Sequence, residues 1–253
     1  MKPFIDFENK MILVSGASSG IGRAVAISLS RVGARLVLMG RDRKRLGQTV
    51  KSLENTYHHS ICLDLKKFEG IVPAVKECVE KVGRIYGLCH CAGIVDIMPL
   101  KNCSPEHVKS LYDINLTAGL ELARSVSRRD VIDSSGGSFL FIGSVMGLVG
   151  MPGQIGYSAS KGAVIAAARS MAIELARRRI RVNSLSPGMV RSEMSGKSFE
   201  LLNTEQIKKI EEAHPLGIGK PDDVARAAVF ILDPHNTWIT GANFVVDGGY
   251  SAR

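Results

Sequence analysis

The chain is poor in aromatic residues (6%), has a single tryptophan and contains no Cys-x-x-Cys pair. Its five cysteines, Cys62, Cys78, Cys89, Cys91 and Cys103, are odd in number and irregular in spacing. That excludes a disulfide framework and a zinc ribbon. Cys89-His90-Cys91 offers metal-binding residue types, but no second ligand pair follows at a useful distance, so no metal is expected and the thiols belong to a buried strand. Long apolar runs are also lacking. The one long uncharged stretch, 134–160, is broken by glycines, serines and Pro152, and its composition is that of a strand followed by a loop rather than a membrane span. Residues 1–10 include Asp6 and Glu8 and lack the apolar core of a signal peptide. A cytoplasmic protein without a membrane partner is expected.

Acids are outnumbered: 33 Lys and Arg against 24 Asp and Glu give a net charge of +9. The surplus gathers at Arg41–Arg45, Arg128-Arg129 and Arg177–Arg179. A nucleic-acid binder would pair such charge with a recognisable motif or interleaved aromatics. Here two clusters fall where helices should end, positions that the helix dipole favours for cations. No nucleic-acid partner is expected.

The 253 residues have the hydrophobic (45%) and charged (23%) fractions of an ordinary globular chain. Apolar runs at 11–15, 35–39, 60–63, 85–89, 138–142, 181–184 and 243–246 alternate with amphipathic segments beginning near Gly20, Asp42, Phe68, Pro105, Tyr157 and Pro221. This alternation requires parallel strands, right-handed crossovers and helices on both sheet faces. The fold class is α/β, a single doubly wound parallel sheet of the Rossmann type with about seven strands. No linker or repeat divides the chain, so 1–253 is one domain. The polar excursion at 189–215, with a helix near 204–213, has the size of a lid over a site.

Gly16-Ala17-Ser18-Ser19-Gly20-Ile21-Gly22 follows the first strand and opens the first helix. Backbone amides at a helix N-terminus, with no Cβ in the way, suit a pyrophosphate. After the second strand the sequence is Gly40-Arg41, with no acid at Gly40 to accept a ribose 2′-hydroxyl, while Arg41 can meet a 2′-phosphate. NADP(H) is therefore expected rather than NAD(H), although Asp42 could reach the ribose if the turn shifted. Tyr157 and Lys161 stand at i and i+4 on one helix face. An ammonium there should lower the phenol's pKa toward the range useful for proton transfer. Ser144, at the end of the preceding strand, can polarise a carbonyl.

Together these residues resemble the short-chain dehydrogenase/reductase family over nearly the whole chain. The resemblance identifies Ser144, Tyr157 and Lys161 with the family's catalytic triad and Asn115 with its proton-relay asparagine. It also implies adenine contacts at Asp64 and Leu65. Nicotinamide-side contacts are implied at Pro187, Gly188, Val190 and Ser192, with serine replacing the usual threonine. Ala92 and Gly93 match the close cofactor approach after the fourth strand. The family's first two asparagines there are His90 and Cys91 in this chain, which removes an amide that braces neighbouring backbone and places Cys91 beside the cofactor. Val246-Asp247-Gly248-Gly249 matches the terminal strand signature, and a homotetramer is implied.

Within the family, the stretch from Ile142 through Gln154 to Tyr157 is most similar to 3-oxoacyl-[acyl-carrier-protein] reductases. That implies hydride transfer to a 3-oxoacyl thioester, in the reductive direction. Carrier docking in such enzymes uses arginines where this chain has Ser135 and Ile173. That departure favours a free ketone, steroid, sugar or other secondary alcohol as the second reading. A non-catalytic NADP(H)-binding protein is the rival from another class, and the presence of all four catalytic positions argues for an enzyme.

Overall fold

The computed structural model describes residues 5–7, 10–54, 57–193, 195–196 and 203–252. Of the 189–215 excursion, residues 194 and 197–202 lie outside that description.

Seven parallel strands form one sheet in the order β3-β2-β1-β4-β5-β6-β7. They are β1 (Met11–Ser15), β2 (Arg35–Gly40), β3 (His58–Cys62), β4 (Gly87–His90), β5 (Gly137–Ile142), β6 (Ile180–Pro187) and β7 (Asn243–Val246). The expected strands all exist, with β3 starting two residues earlier, β4 starting two residues later and β6 extended to Pro187. Successive residues of a strand face opposite sides, so Leu13, Val37 and Phe139 enter one apolar layer while Ile12, Leu36 and Leu140 enter the other.

One layer is covered by α3 (Ile71–Val82), α5 (Ala118–Val126) and α6 (Ile155–Leu175), the other by α1 (Gly20–Arg31) and α8 (Pro221–Leu232). Helix α2 (Arg43–Lys51) starts at Asp42, whose carboxylate accepts from the Arg45 amide (2.9 Å). Helix α4 (Pro105–Tyr112) is capped by the Ser104 hydroxyl, which accepts from the His107 amide (3.2 Å). Helix α7 (Thr204–Glu212) begins with a reciprocal pair of bonds between Asn203 and Gln206.

The sequence pattern gave no sign of the widened π turn, Asp113–Thr117, that joins α4 to α5. It turns Asn115 fully inward. Strand order reverses between β1 and β4, and Ser15 pairs in register with Met39 on one side and His90 on the other. The glycine turn, the Arg41 segment and the His90–Gly93 loop therefore emerge side by side at the carboxyl edge. In open α/β sheets that crevice is where ligands bind.

Candidate active site

The turn after β1 is packed too tightly for side chains. Gly16 has φ +67°, and a Cβ there would lie 2.7 Å from the Ala92 amide nitrogen; at Gly22 it would collide with the Gly16 carbonyl. Arg23 steadies the turn by donating to the Ser18 carbonyl oxygen and to Thr49 Oγ1. The Gly20 amide donates to a Glu193 carboxylate oxygen at 2.9 Å. Nothing in the residue pattern pointed to Glu193, which reaches the turn from the excursion after β6.

Asn115 ties three pieces of the site together. Its Nδ2 donates to the Ile94 carbonyl (3.0 Å) and to Ser160 Oγ (2.9 Å), while its Oδ1 accepts from the Ile94 amide (2.8 Å). The loop after β4 is thus fixed to α6 through a helix widened at that residue. π turns of this kind occur frequently at functional sites.

Ser144 follows β5 in extended backbone, and its Oγ accepts from the Met146 amide (3.1 Å). Tyr157 and Lys161 lie one turn apart on α6, with Nζ 5.8 Å from the phenol ring centre. Nζ donates to the Ile142 carbonyl at the end of β5 (2.8 Å). Burial lowers the Lys161 pKa to about 8, and the nearby Cys91 sulfur acts in the opposite direction. Tyr157 is itself pushed above the ordinary phenol value by burial, with a hydrogen bond from Ser144 opposing that rise. The expected lowering of the phenol by Lys161 is therefore corrected: burial raises it, and the ammonium is bound to a carbonyl rather than to the phenol.

The missing asparagine brace is replaced. His90 is fully buried, with Nδ1 2.9 Å from Ser15 Oγ and Nε2 3.3 Å from the Ile114 carbonyl. Ser15 Oγ in turn accepts from the Ala92 amide (3.3 Å). Desolvation and the Lys161 charge lower the His90 pKa to about 4. The ring is neutral at pH 7, and donation from Nε2–H to Ile114 leaves Nδ1 to accept from Ser15. A ring thus braces this backbone, between Ser15 and Ile114, where the family has an amide.

A cavity of about 590 Å³ opens over these groups. Of the predicted residues, Ile21, Cys91, Gly93, Ser144, Tyr157 and Lys161 line it. Pro187, Gly188, Val190 and Ser192 close the side after β6. Asn115 is buried and bonded to the wall residue Ile94, and Ala92 lies between the wall residues Cys91 and Gly93. Gly16, Ser18, Ser19, Gly20, Gly22 and Arg41 lie along the neighbouring edge of the sheet, and Asp64 and Leu65 follow β3 beyond it. Most of the remaining wall is apolar, including Ile94, Ile97, Met146 and Met189.

Among the wall residues that were not foreseen are Lys209, His214 and Tyr250. His214 donates from Nδ1 to the Ile210 carbonyl (2.7 Å), accepts from the Met189 amide (3.2 Å) and stacks on Tyr250 at 4.7 Å. A single histidine in a polar excursion carries no sequence signal for such a role.

A protein-family model described as Enoyl-(Acyl carrier protein) reductase matches residues 16–251. The chain belongs to the short-chain dehydrogenase/reductase family. It is 33% identical over 246 residues to the 3-oxoacyl-[acyl-carrier-protein] reductase FabG of Rickettsia typhi, covering 97% of this chain and 98% of that one. It is 30% identical over 252 residues to 2-(S)-hydroxypropyl-CoM dehydrogenase 3 of Xanthobacter autotrophicus, with the same coverage. A solved short-chain type dehydrogenase/reductase from Mycobacterium ulcerans superposes with a TM-score of 0.91 at 28% identity, over 98% of this chain and 92% of that one. The protein is accordingly an oxidoreductase of this family, a family that uses a nicotinamide cofactor. Among the described residues no helix is long and apolar enough to cross a membrane.

Proposed function

We propose that the protein is an NADP(H)-dependent reductase of 3-oxoacyl thioesters. The observation that carries the reading is the convergence of Ser144, Tyr157 and Lys161 on one largely apolar cavity.

The cradle fits a dinucleotide. Gly16, Ser18, Ser19, Gly20, Ile21 and Gly22 would hold the pyrophosphate, and Asp64 and Leu65 the adenine. Cys91, Ala92, Gly93, Pro187, Gly188, Val190 and Ser192 would flank the nicotinamide half. When bound, the nicotinamide supplies or accepts a hydride. Tyr157 holds the proton destined for the substrate oxygen, and its raised pKa keeps it a phenol, the form needed for reduction. Ser144 orients that oxygen through its hydroxyl. Lys161 would bind the cofactor ribose, and it provides positive charge below about pH 8. Asn115 positions the Ile94 loop and Ser160 around this group.

Support for NADP(H) comes from the end of β2. Asp42 is committed to capping α2 and pairing with Arg45 (3.5 Å), which leaves Arg41, exposed beside Gly40, to meet a 2′-phosphate. The apolar walls suit an acyl chain, with the segment around 189–215 acting as its lid. Ser135 and Ile173 are both exposed and neither is cationic, which favours a second reading in which a free ketone or secondary alcohol is the substrate. A homotetramer is supported by exposed apolar groups on α6 and beside and within β7, namely Ile173 (79%), Trp238 (96%) and Val245 (43%). The deciding experiment is NADPH and NADH oxidation against a panel of acyl thioesters, free ketones and sugars. Turnover of 3-oxoacyl thioesters with NADPH is expected; turnover of ketones alone selects the second reading.

A further inference from the structure

Cys89 and Cys91 face the same side of the sheet as the chain leaves β4, with their sulfurs 3.4 Å apart. The pair is asymmetric. Cys91 lines the cavity, whereas Cys89 is fully buried in the core behind it. The contact with Cys91, together with burial, raises the Cys89 pKa, so Cys89 keeps its proton and donates toward its neighbour. The Lys161 ammonium lies close enough for Cys91 to influence it electrostatically. An accessible thiol beside a cation, with a second thiol behind it, is the arrangement found in peroxide-sensitive cysteines.

We propose that Cys91 is a peroxide-oxidation site, that Cys89 resolves it to an intramolecular disulfide, and that the bond disables the cofactor seat. In the first step the Cys91 thiolate sulfur attacks a peroxide oxygen. An S–O bond forms, the O–O bond breaks, and hydroxide leaves. The sulfur loses two electrons, which the peroxide gains. In the second step the Cys89 sulfur attacks Cys91 sulfenic acid, losing its proton as water departs. Two thiols and one hydrogen peroxide give one disulfide and two waters.

The consequence follows from packing. A disulfide bond is about 2.05 Å long, so the sulfurs must approach by more than 1 Å. The backbone that has to yield, Cys91 and Ala92, lies directly against Gly16, where an added Cβ would already be within 2.9 Å of Ala92 Cα. The Ala92 amide is also bonded to Ser15, the last residue of β1. Movement at 91–92 therefore transmits to the phosphate turn. Misplacement by about 1 Å can cost ~10²-fold in rate.

The test treats the whole protein with hydrogen peroxide, with and without prior NADPH, and follows intact mass, peptide mapping and NADPH binding. The expected result is loss of two hydrogens mapped to the Cys89–Cys91 peptide. Loss of NADPH binding should accompany it, with recovery in dithiothreitol and protection by NADPH added beforehand. Cys89→Ala should retain basal activity and give no such disulfide, and its Cys91 should proceed to sulfinic acid that dithiothreitol does not reverse. Should that variant fold poorly, peptide mapping of the unaltered chain still decides. Oxidation confined to exposed Cys62 or to Cys103, or a Cys89–Cys91 disulfide with unchanged NADPH binding, overturns the proposal. The thiol readout needs no substrate, so failure of NADPH to bind the reduced protein counts against the cofactor assignment and not against the disulfide.

Discussion

Glu193 places one carboxylate oxygen 2.9 Å from the Gly20 amide and the other 3.3 Å from Arg23, at the N-terminus of α1. Backbone amides and positive dipole at that point are the features that bind a pyrophosphate. In the proposed binding mode an internal carboxylate and the cofactor would compete for one donor, and a dinucleotide on this turn would displace Glu193. Glu193→Ala should raise cofactor affinity, by up to about fivefold, the upper end for a solvent-exposed charged contact. Calorimetric titration with NADPH checks this, and weaker binding in the variant would mean that Glu193 supports the bound cofactor.

Tyr157→Phe should reduce turnover by ~10²–10⁴, the range for a lost general acid, while leaving NADPH affinity nearly unchanged. The ring stays in the wall and only the hydroxyl is removed. Single-turnover kinetics with a saturating substrate separate the two effects. A variant retaining most of its rate would assign the proton to another group.

The pH dependence should follow Lys161. Burial lowers its pKa to about 8, so its ammonium is present below that value and lost above it. Tyr157 stays protonated across the same range because burial raises it. Reductive kcat/KM should therefore be level on the acid side and fall as pH rises through about 8. Lys161→Arg, charged at every accessible pH, should shed that inflection; an inflection that stays in place belongs to a different group.

Much of this site was legible because its chemistry is tied to local spacing. The glycine turn must follow a strand and open a helix, and Tyr157 and Lys161 must share a helix face. Both constraints survive as short sequence patterns. What was not legible depends on contacts between distant segments. Glu193 meets Gly20, and His214 meets Met189, through the path of the excursion after β6. The direction of the Tyr157 shift was also beyond the sequence, since spacing reports the neighbouring charge but not the burial that raises the phenol. His90 shows the same limit: a histidine replacing an asparagine looked like a lost brace, yet its ring spans from Ser15 to Ile114.

That histidine predicts an acid sensitivity. Its pKa is about 4 in the folded protein against an ordinary value of 6.5, so the unfolded chain binds the extra proton first. Stability from this group is complete above pH 6.5 and is lost as pH falls toward about 4. The change across that window is on the order of 3 kcal/mol. His90→Asn, which does not titrate there, should flatten this part of the curve in urea melts between pH 7 and pH 4. A parallel decline in both proteins would place the titrating group elsewhere.

Arg41 gives the sharpest test of the cofactor. It is exposed at the carboxyl end of β2, next to Gly40, a position that carries no carboxylate. A Cβ at Gly40 would rest at 3.4 Å from Ser18 Oγ and from the Leu46 side chain, ordinary van der Waals contact, so the backbone there tolerates a side-chain carbon. Arg41→Ala should weaken NADPH binding by roughly tenfold to a hundredfold, the range for one charge-assisted contact, and leave NADH binding almost unchanged. Gly40→Asp should go further and invert the preference, because its carboxylate accepts from the 2′-hydroxyl of NADH and repels the 2′-phosphate of NADPH. Dissociation constants for both dinucleotides, measured on all three proteins, decide the matter. If the unaltered protein binds NADH as tightly as NADPH, Arg41 does not select the phosphate and the NADP(H) assignment fails.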